Sequence, residues 1–85
     1  MVQVRWSNGR ADRALTWEEL EDKIRSDQWW SMTPDEFRLA MQKRALRWSG
    51  TEIVTAGSSE QFFAELERAG LVRIENDNPT YEEVL

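Results

Sequence analysis

The chain has 85 residues, enough for one small domain, and its hydrophobic share of 40% with five tryptophans argues against disorder. It has no cysteine and no histidine, which excludes disulfides and thiolate metal sites and removes the commonest general base. The formal net charge of −5 argues against general binding to nucleic acid, because phosphates must be neutralised by cations.

The amino-terminal residues predict a β-hairpin. Val2, Val4 and Trp6 alternate with polar residues, which is the period of a strand with one apolar face. Asn8-Gly9 suits a tight type I′ turn, and the return strand is predicted at about Arg10–Ala14. There is no apolar run of signal-peptide length here, and no stretch of the chain approaches the roughly 20 apolar residues of a membrane span. We therefore expect a cytoplasmic protein without membrane contact.

A first helix is predicted to begin at Thr16. Thr16 and Glu19 have the spacing of a capping box, and Leu15 and Leu20 stand at the positions of a hydrophobic staple. The apolar stripe that follows is narrow, consisting of Trp17, Leu20 and Ile24.

The first helix is expected to end near Asp27 or Gln28. Trp29 and Trp30 would fall off its apolar stripe, so the pair is predicted to lie in the connection to the next helix. Tryptophan is a favoured anchor of protein interfaces, and the alternative is that both indoles close the core.

The stretch Thr33–Trp48 predicts the main helix. Thr33 and Glu36 form a second capping box, Pro34 suits the first helical position, and Ser49-Gly50 supplies the stop. At about 100° per residue, one side of the helix carries Phe37, Ala40, Met41, Arg44, Ala45 and Trp48. Leu39 and Leu46 lie together on the other side. Such a helix is either covered from both sides or leaves one face for a partner.

A third helix and a closing strand are predicted after the main helix. Glu52–Thr55 is a short β-prone run, and Ser58 with Gln61 forms a third capping box. The helix stripe is Phe62, Phe63, Leu66 and Ala69. Gly70 stands where a left-handed residue ends the helix, so that Leu71 can fold back on Leu66 before a strand at Leu71–Glu75.

The element order predicts an α+β fold, with a small antiparallel or mixed sheet packed against three helices. The sheet combines the N-terminal hairpin with the C-terminal strand. Residues 1–76 are expected to form one domain, followed by an acidic tail at 77–85.

Catalysis and cofactor binding have little support in the sequence. No histidine is present to activate a serine, and adjacent acidic residues on a helix point to different sides. There is no calcium-loop spacing and no glycine-rich phosphate loop. We expect no catalytic residues, no metal site and no cofactor.

Two resemblances bear on function. The segment SSEQFFAELERAGLVRIENDNPTYEEVL resembles the end of a winged-helix repressor, which implies that the helix after Ser58 enters the major groove of DNA. Arg38, Lys43, Arg44 and Arg47 also make the main helix locally basic, and Trp48 adds a stacking surface. The predicted outward positions of the third helix carry one cation among three glutamates, however, so nucleic acid is not the expected partner.

The second resemblance covers most of the chain. The phrases RWSNGRADRALTWEELEDKI, TPDEFRLAMQKRALRWSGTEI and SSEQFFAELERAGLVRI resemble small accessory proteins of actinobacterial phages. The resemblance implies a protein that acts on host machinery in the host cytoplasm. It points to no catalytic residues in this chain.

The leading hypothesis is therefore a non-catalytic module that binds another protein, with winged-helix-like DNA binding as the alternative. The candidate partner-binding residues are Trp29, Trp30, Leu39, Leu46, Lys43 and Arg47. The acidic first helix and tail are a third candidate surface, and a homodimer through Leu39 and Leu46 is compatible with either hypothesis.

Overall fold

A computed structural model describes residues 1–28 and 31–75 of the chain. Its elements are β1 (Val2–Trp6), β2 (Ala11–Ala14), α1 (Trp17–Gln28), α2 (Pro34–Ser49), α3 (Ser59–Arg68) and β3 (Val72–Ile74). The strands form one antiparallel sheet in the order β2-β1-β3. This arrangement confirms the predicted α+β fold, with an antiparallel sheet built from the hairpin and the C-terminal strand.

The central strand β1 determines which side of the sheet faces the helices. Val4 pairs with Asp12 on β2 and with Ile74 on β3, and it is fully buried. Because successive side chains alternate between the faces, Val2, Val4 and Trp6 all lie on the helix side, as their spacing predicts.

The hairpin loop differs from the predicted two-residue turn. Arg5 pairs with Ala11, and the Trp6 amide donates to the Arg10 carbonyl at 2.7 Å, which leaves Ser7, Asn8 and Gly9 in the loop. The Gly9 amide donates to the Trp6 carbonyl at 2.9 Å, and Gly9 has φ of 94°. A three-residue loop with glycine in the left-handed region is the next common hairpin connection. The type I′ prediction was wrong, although glycine is required for the same steric reason.

The predicted helix starts are confirmed at α2 and α3. The Thr33 hydroxyl accepts from the Glu36 amide at 3.2 Å, and the Glu36 carboxylate accepts from the Thr33 amide at 2.9 Å. Ser58 and Gln61 form the same reciprocal pair at α3. At α1 the Thr16 hydroxyl accepts from the Glu19 amide.

The predicted staple between Leu15 and Leu20 is wrong. Leu20 is fully buried, but Leu15 is 69% exposed and does not join it in the core. Ala14, at the end of β2, packs against the core, and the next side chain along the chain, that of Leu15, lies on the outside.

The end of α3 follows the predicted glycine stop. Gly70 has φ of 83°, its amide donates to the Glu67 carbonyl at 2.9 Å, and the Leu71 amide donates to the Leu66 carbonyl at 3.0 Å. This pair of bonds is the Schellman motif. It returns the chain to the sheet, where β3 pairs with β1.

The core lies between the sheet and the helices, with α3 at its centre. Phe62, Phe63 and Leu66 are fully buried, and Ala69 is nearly so. The Phe62 ring centroid lies 6.0 Å from that of Phe37, while the Phe63 centroid lies 5.4 Å from that of Trp17. Aromatic pairs at these separations add to the burial of apolar area, so α3 joins α1 and α2 into one core.

The connection between α2 and α3 is not the predicted strand. Residues 51–56 pair with no strand in the described part of the chain, and side chains of the flanking helices bond their peptide groups instead. The Glu65 carboxylate accepts from the Val54 amide, Gln42 donates to the Ile53 carbonyl, and Arg68 donates to the Glu52 carbonyl. Ile53 is buried and anchors the connection.

Residues 76–85 lie outside the described residues, and the predicted boundary between domain and acidic tail lies at their beginning. Within the described ranges, every helix is too short or too polar to cross a bilayer.

Candidate protein-interaction surface

The two sides of α2 have different surroundings. Phe37, Met41 and Ala45 recur every four residues and are buried against the rest of the domain. Leu39 and Leu46 point away from that side, as their positions on the helix predict, and are 48% and 56% exposed. Two large aliphatic side chains therefore stand in solvent on a helix whose opposite side is fixed by packing.

Lys43 and Arg47 occupy the same outward side, one helical turn apart, and both are exposed. Neither forms an ion pair with a carboxylate in residues 1–28 and 31–75, whereas Arg38 pairs with Glu21 and Arg68 with Glu65. We call Leu39, Lys43, Leu46 and Arg47 the outer face of α2. The structure brings these four predicted residues onto one surface.

The side of α2 that the sequence pattern assigns to Phe37 is buried near the start of the helix and exposed near its end. Arg44 and Trp48 share that side in the pattern but are exposed, Trp48 by 70%. The last turn of α2 runs past the end of the core, where the hairpin loop is the neighbouring element. A small cavity of about 100 Å³ lies there, with Trp6, Asn8 and Leu71 opposite Arg44 and Trp48.

A shallow groove of about 290 Å³ extends the outer face of α2. It is lined by Ala40, Lys43, Arg44, Arg47 and Trp48, and we call it the basic groove. The Arg44 guanidinium carbon lies 5.9 Å from the centre of the Trp48 ring, within range of a cation–π contact. Helical spacing places Ala40, Arg44 and Trp48 on the same side as Phe37, so the sequence pattern did not indicate this groove.

The orientation of α2 is fixed by a buried polar cluster on its other side. Arg38 donates to both carboxylate oxygens of Glu21, at 2.7 and 2.8 Å, and the Ser59 hydroxyl donates to the same carboxylate at 2.7 Å. Arg38 also donates to the carbonyls of Thr55 and Gly57. The cluster connects α1, α2, α3 and the preceding loop, so it determines which side of α2 faces outward.

The charge state of this cluster follows from its contacts. Burial alone would raise the pKa of Glu21, but the hydrogen bonds from Arg38 and Ser59 and the Arg38 charge together lower it. The hydrogen bond to Glu21 raises the pKa of Arg38, against the opposing effect of burial. Both groups are therefore ionised at neutral pH.

Trp29 and Trp30, the remaining predicted partner-binding residues, lie outside the described residues. The outer face of α2 and the basic groove are defined without them.

The outward side of α3 carries little positive charge. Its one cation, Arg68, is tied to the Glu65 carboxylate at 2.8 Å, and hydrogen bonds from Arg68 and from the Val54 amide lower the pKa of Glu65. Glu60 and Glu67 are exposed on the same helix, and the Glu67 carboxylate accepts from the Ile74 amide. A phosphate backbone approaching α3 would meet net negative charge.

The described part of the chain brings no three acidic side chains together in the manner of a metal site. Compared with protein-family models, with curated proteins and with solved structures, the chain matches none.

Proposed function

We propose that this protein is a non-catalytic interaction module that binds another protein through the outer face of α2. The observation that carries the proposal is the exposure of Leu39 and Leu46 on a helix whose other side is held by Phe37 and by the Arg38–Glu21 pair. A rigid helix that presents aliphatic side chains between polar neighbours is a common mode of protein recognition.

The energetics require more than the two leucines. Fully burying a leucine side chain is worth about 1.5–3 kcal/mol, and each of these is already half-buried, so together they supply about 1.5–3 kcal/mol. Micromolar affinity requires about 8 kcal/mol. The partner must therefore also contact Lys43 and Arg47, and an exposed indole such as Trp48 is the kind of residue that dominates an interface.

The alternative of winged-helix-like DNA binding has weaker support. It needs cations on the outward side of α3, where Arg68 is already neutralised by Glu65. The resemblance to phage accessory proteins makes a host protein the first partner to look for, with the host cytoplasm as the place to look.

The test is photo-crosslinking inside the cells from which the sequence comes. A benzophenone amino acid replaces Leu46 in one variant and Leu15 in a matched control, since both leucines are exposed. We expect a covalent adduct of higher mass from position 46 and none from position 15. A protein that gives no adduct from position 46, or equal adducts from both positions, does not bind a partner through α2.

A further inference from the structure

Building on the proposed function, we infer that the occupant of the outer face of α2 and the basic groove is an acidic, amphipathic segment of another protein. Its carboxylates pair with Lys43, Arg44 and Arg47. Its apolar side chains pack against Leu39 and Leu46 at one margin and against Trp48 at the other.

The first observation is a local inversion of charge. The chain has a formal net charge of −5, yet the last three turns of α2 carry three exposed cations and no acidic residue. The acidic residues of α2, Asp35 and Glu36, stand in its first turn. A positive patch on a negative protein favours an anionic partner and excludes a basic one.

The second observation is that most cations outside this patch pair with a carboxylate; among the described residues, Arg13 and Lys23 are the exceptions. Arg5 and Arg73 share Glu75, Arg25 contacts Asp22, and Arg38 and Arg68 each have a carboxylate. Lys43 and Arg47 have none among the described residues. These two side chains can pair with incoming carboxylates without first breaking an internal ion pair.

The third observation is the order of side chains around the helix. At about 100° per residue, the three cations of the groove lie between Leu46 on one margin and Trp48 on the other. Trp48 is 70% exposed and has cavities on two sides. From Leu39 to Trp48 the surface runs about 14 Å along the axis, the length of two to three turns of a partner helix.

A second copy of the chain does not fit this surface. Antiparallel pairing that matches Leu39 of one copy with Leu46 of the other places the two-fold axis next to Lys43. Each Lys43 then meets the same residue of the other copy, and parallel pairing also places like cations together. Like charges placed opposite each other across an interface oppose association.

Duplex DNA fits less well than an acidic peptide. DNA carries one charge per about 1.7 Å, so a chain of net charge −5 repels it strongly, whereas a short peptide brings only a few charges. Phosphates also offer no apolar surface to Leu39 and Leu46. A peptide segment is therefore the occupant that suits both the charges and the leucines.

The experiment uses the full chain, labelled with ¹⁵N, and three probes at up to about 1 mM, a concentration at which weak binding is detected. The first probe is a peptide of about 14 residues, with glutamate and aspartate on one helical face and leucine and phenylalanine on the other. The second replaces its acidic residues with glutamine and asparagine. The third is a duplex of about 14 base pairs.

We expect the acidic peptide to shift the Trp48 indole signal and the amides of α2, and to bind at least tenfold more tightly than the neutral peptide. Arg47→Glu should lower the affinity for the acidic peptide at least tenfold. Arg13→Glu is the matched control, because Arg13 is an exposed cation on β2 with the same change of charge. The Arg13→Glu variant should bind the acidic peptide with an affinity changed by less than about threefold. Arg13 pairs with Gln3, on the sheet face that points away from the helices, and salt screens its charge.

Each other outcome overturns the inference. Equal binding of the acidic and neutral peptides removes the role of charge, and tighter, steeply salt-dependent binding of the duplex identifies nucleic acid instead. A dimer in light scattering that Leu46→Asp dissociates identifies a second copy. If no probe binds but the crosslink from position 46 forms, the proposed function stands and the acidic partner is wrong.

Discussion

The guanidinium of Arg38 and the carboxylate of Glu21 form a bidentate salt bridge, with nitrogen–oxygen distances of 2.7 and 2.8 Å. It joins the middle of α1 to the second turn of α2. The Arg38 guanidinium also lies 4.9 Å from the centre of the Phe62 ring. Since α2 is held from this side, rotation of α2 that would bury Leu39 and Leu46 must break the pair.

Arg38→Met should destabilise the protein more than removal of both partners. The single change leaves the Glu21 carboxylate, 5% exposed, without its cation, at a cost of about 3 kcal/mol. The double variant Glu21→Leu with Arg38→Met replaces the pair by apolar contacts and should recover most of that loss. Urea denaturation of the three proteins measures the difference. Equal destabilisation of the single and double variants would mean that the pair itself, and not the stranded carboxylate, matters.

A second prediction concerns the loss of folding stability at low pH. Hydrogen bonds from Arg73, then Arg5 and Gln3, lower the pKa of Glu75 to about 2, from an ordinary 4.5. A carboxyl whose pKa is lower in the folded state stabilises the protein above its unfolded pKa. That contribution is therefore complete above about pH 4.5 and is lost as the pH falls towards 2.

An NMR titration that follows the side-chain carboxyl carbon of Glu75 measures this pKa. Arg73→Ala should raise the pKa of Glu75 towards its ordinary value, because it removes the largest cause of the shift. Arg47→Ala, which removes an exposed cation of α2 outside the sheet, should leave the pKa of Glu75 unchanged. An ordinary pKa for Glu75 in the parent protein would show that its hydrogen bonds with Arg73, Arg5 and Gln3 do not persist in solution.

Alanine substitutions on the two sides of α2 should differ in their effect on stability. Phe37 is fully buried, and Phe37→Ala should cost about 3–5 kcal/mol, against a total stability of roughly 4–13 kcal/mol for a chain of this length. Leu39 is 48% exposed, so Leu39→Ala should change the free energy of unfolding by less than about 0.5–1 kcal/mol. Thermal unfolding followed by circular dichroism compares them. An unchanged melting temperature for Phe37→Ala would mean that the assignment of the core side is wrong.

The sequence predicted best what depends on neighbouring residues alone. The caps at Thr33 and Ser58 and the stop at Gly70 are local, because each bond joins residues at most five positions apart. The buried stripe of α3 follows from helical spacing, and the exposure of Leu39 and Leu46 follows from the same period on α2.

What the sequence missed depends on distant residues. Glu52–Thr55 has the composition of a strand, but Gln42, Glu65 and Arg68 bond its peptide groups from two helices. Helical spacing likewise places Trp48 with Phe37 and does not indicate that the core ends before the last turn of α2. The groove was missed for that reason.

Alanine substitutions of Trp48 and Trp17 compare an indole proposed for the interface with one that packs on the core. Trp48 is 70% exposed, so Trp48→Ala should change the free energy of unfolding by less than about 0.5–1 kcal/mol. Trp17 is half-buried with its ring centroid 5.4 Å from that of Phe63, so Trp17→Ala should cost about 2–3 kcal/mol. Urea denaturation provides both values. If Trp48→Ala is instead the more destabilising of the two, its indole belongs to the fold, and the basic groove loses the aromatic margin on which an acidic partner would pack.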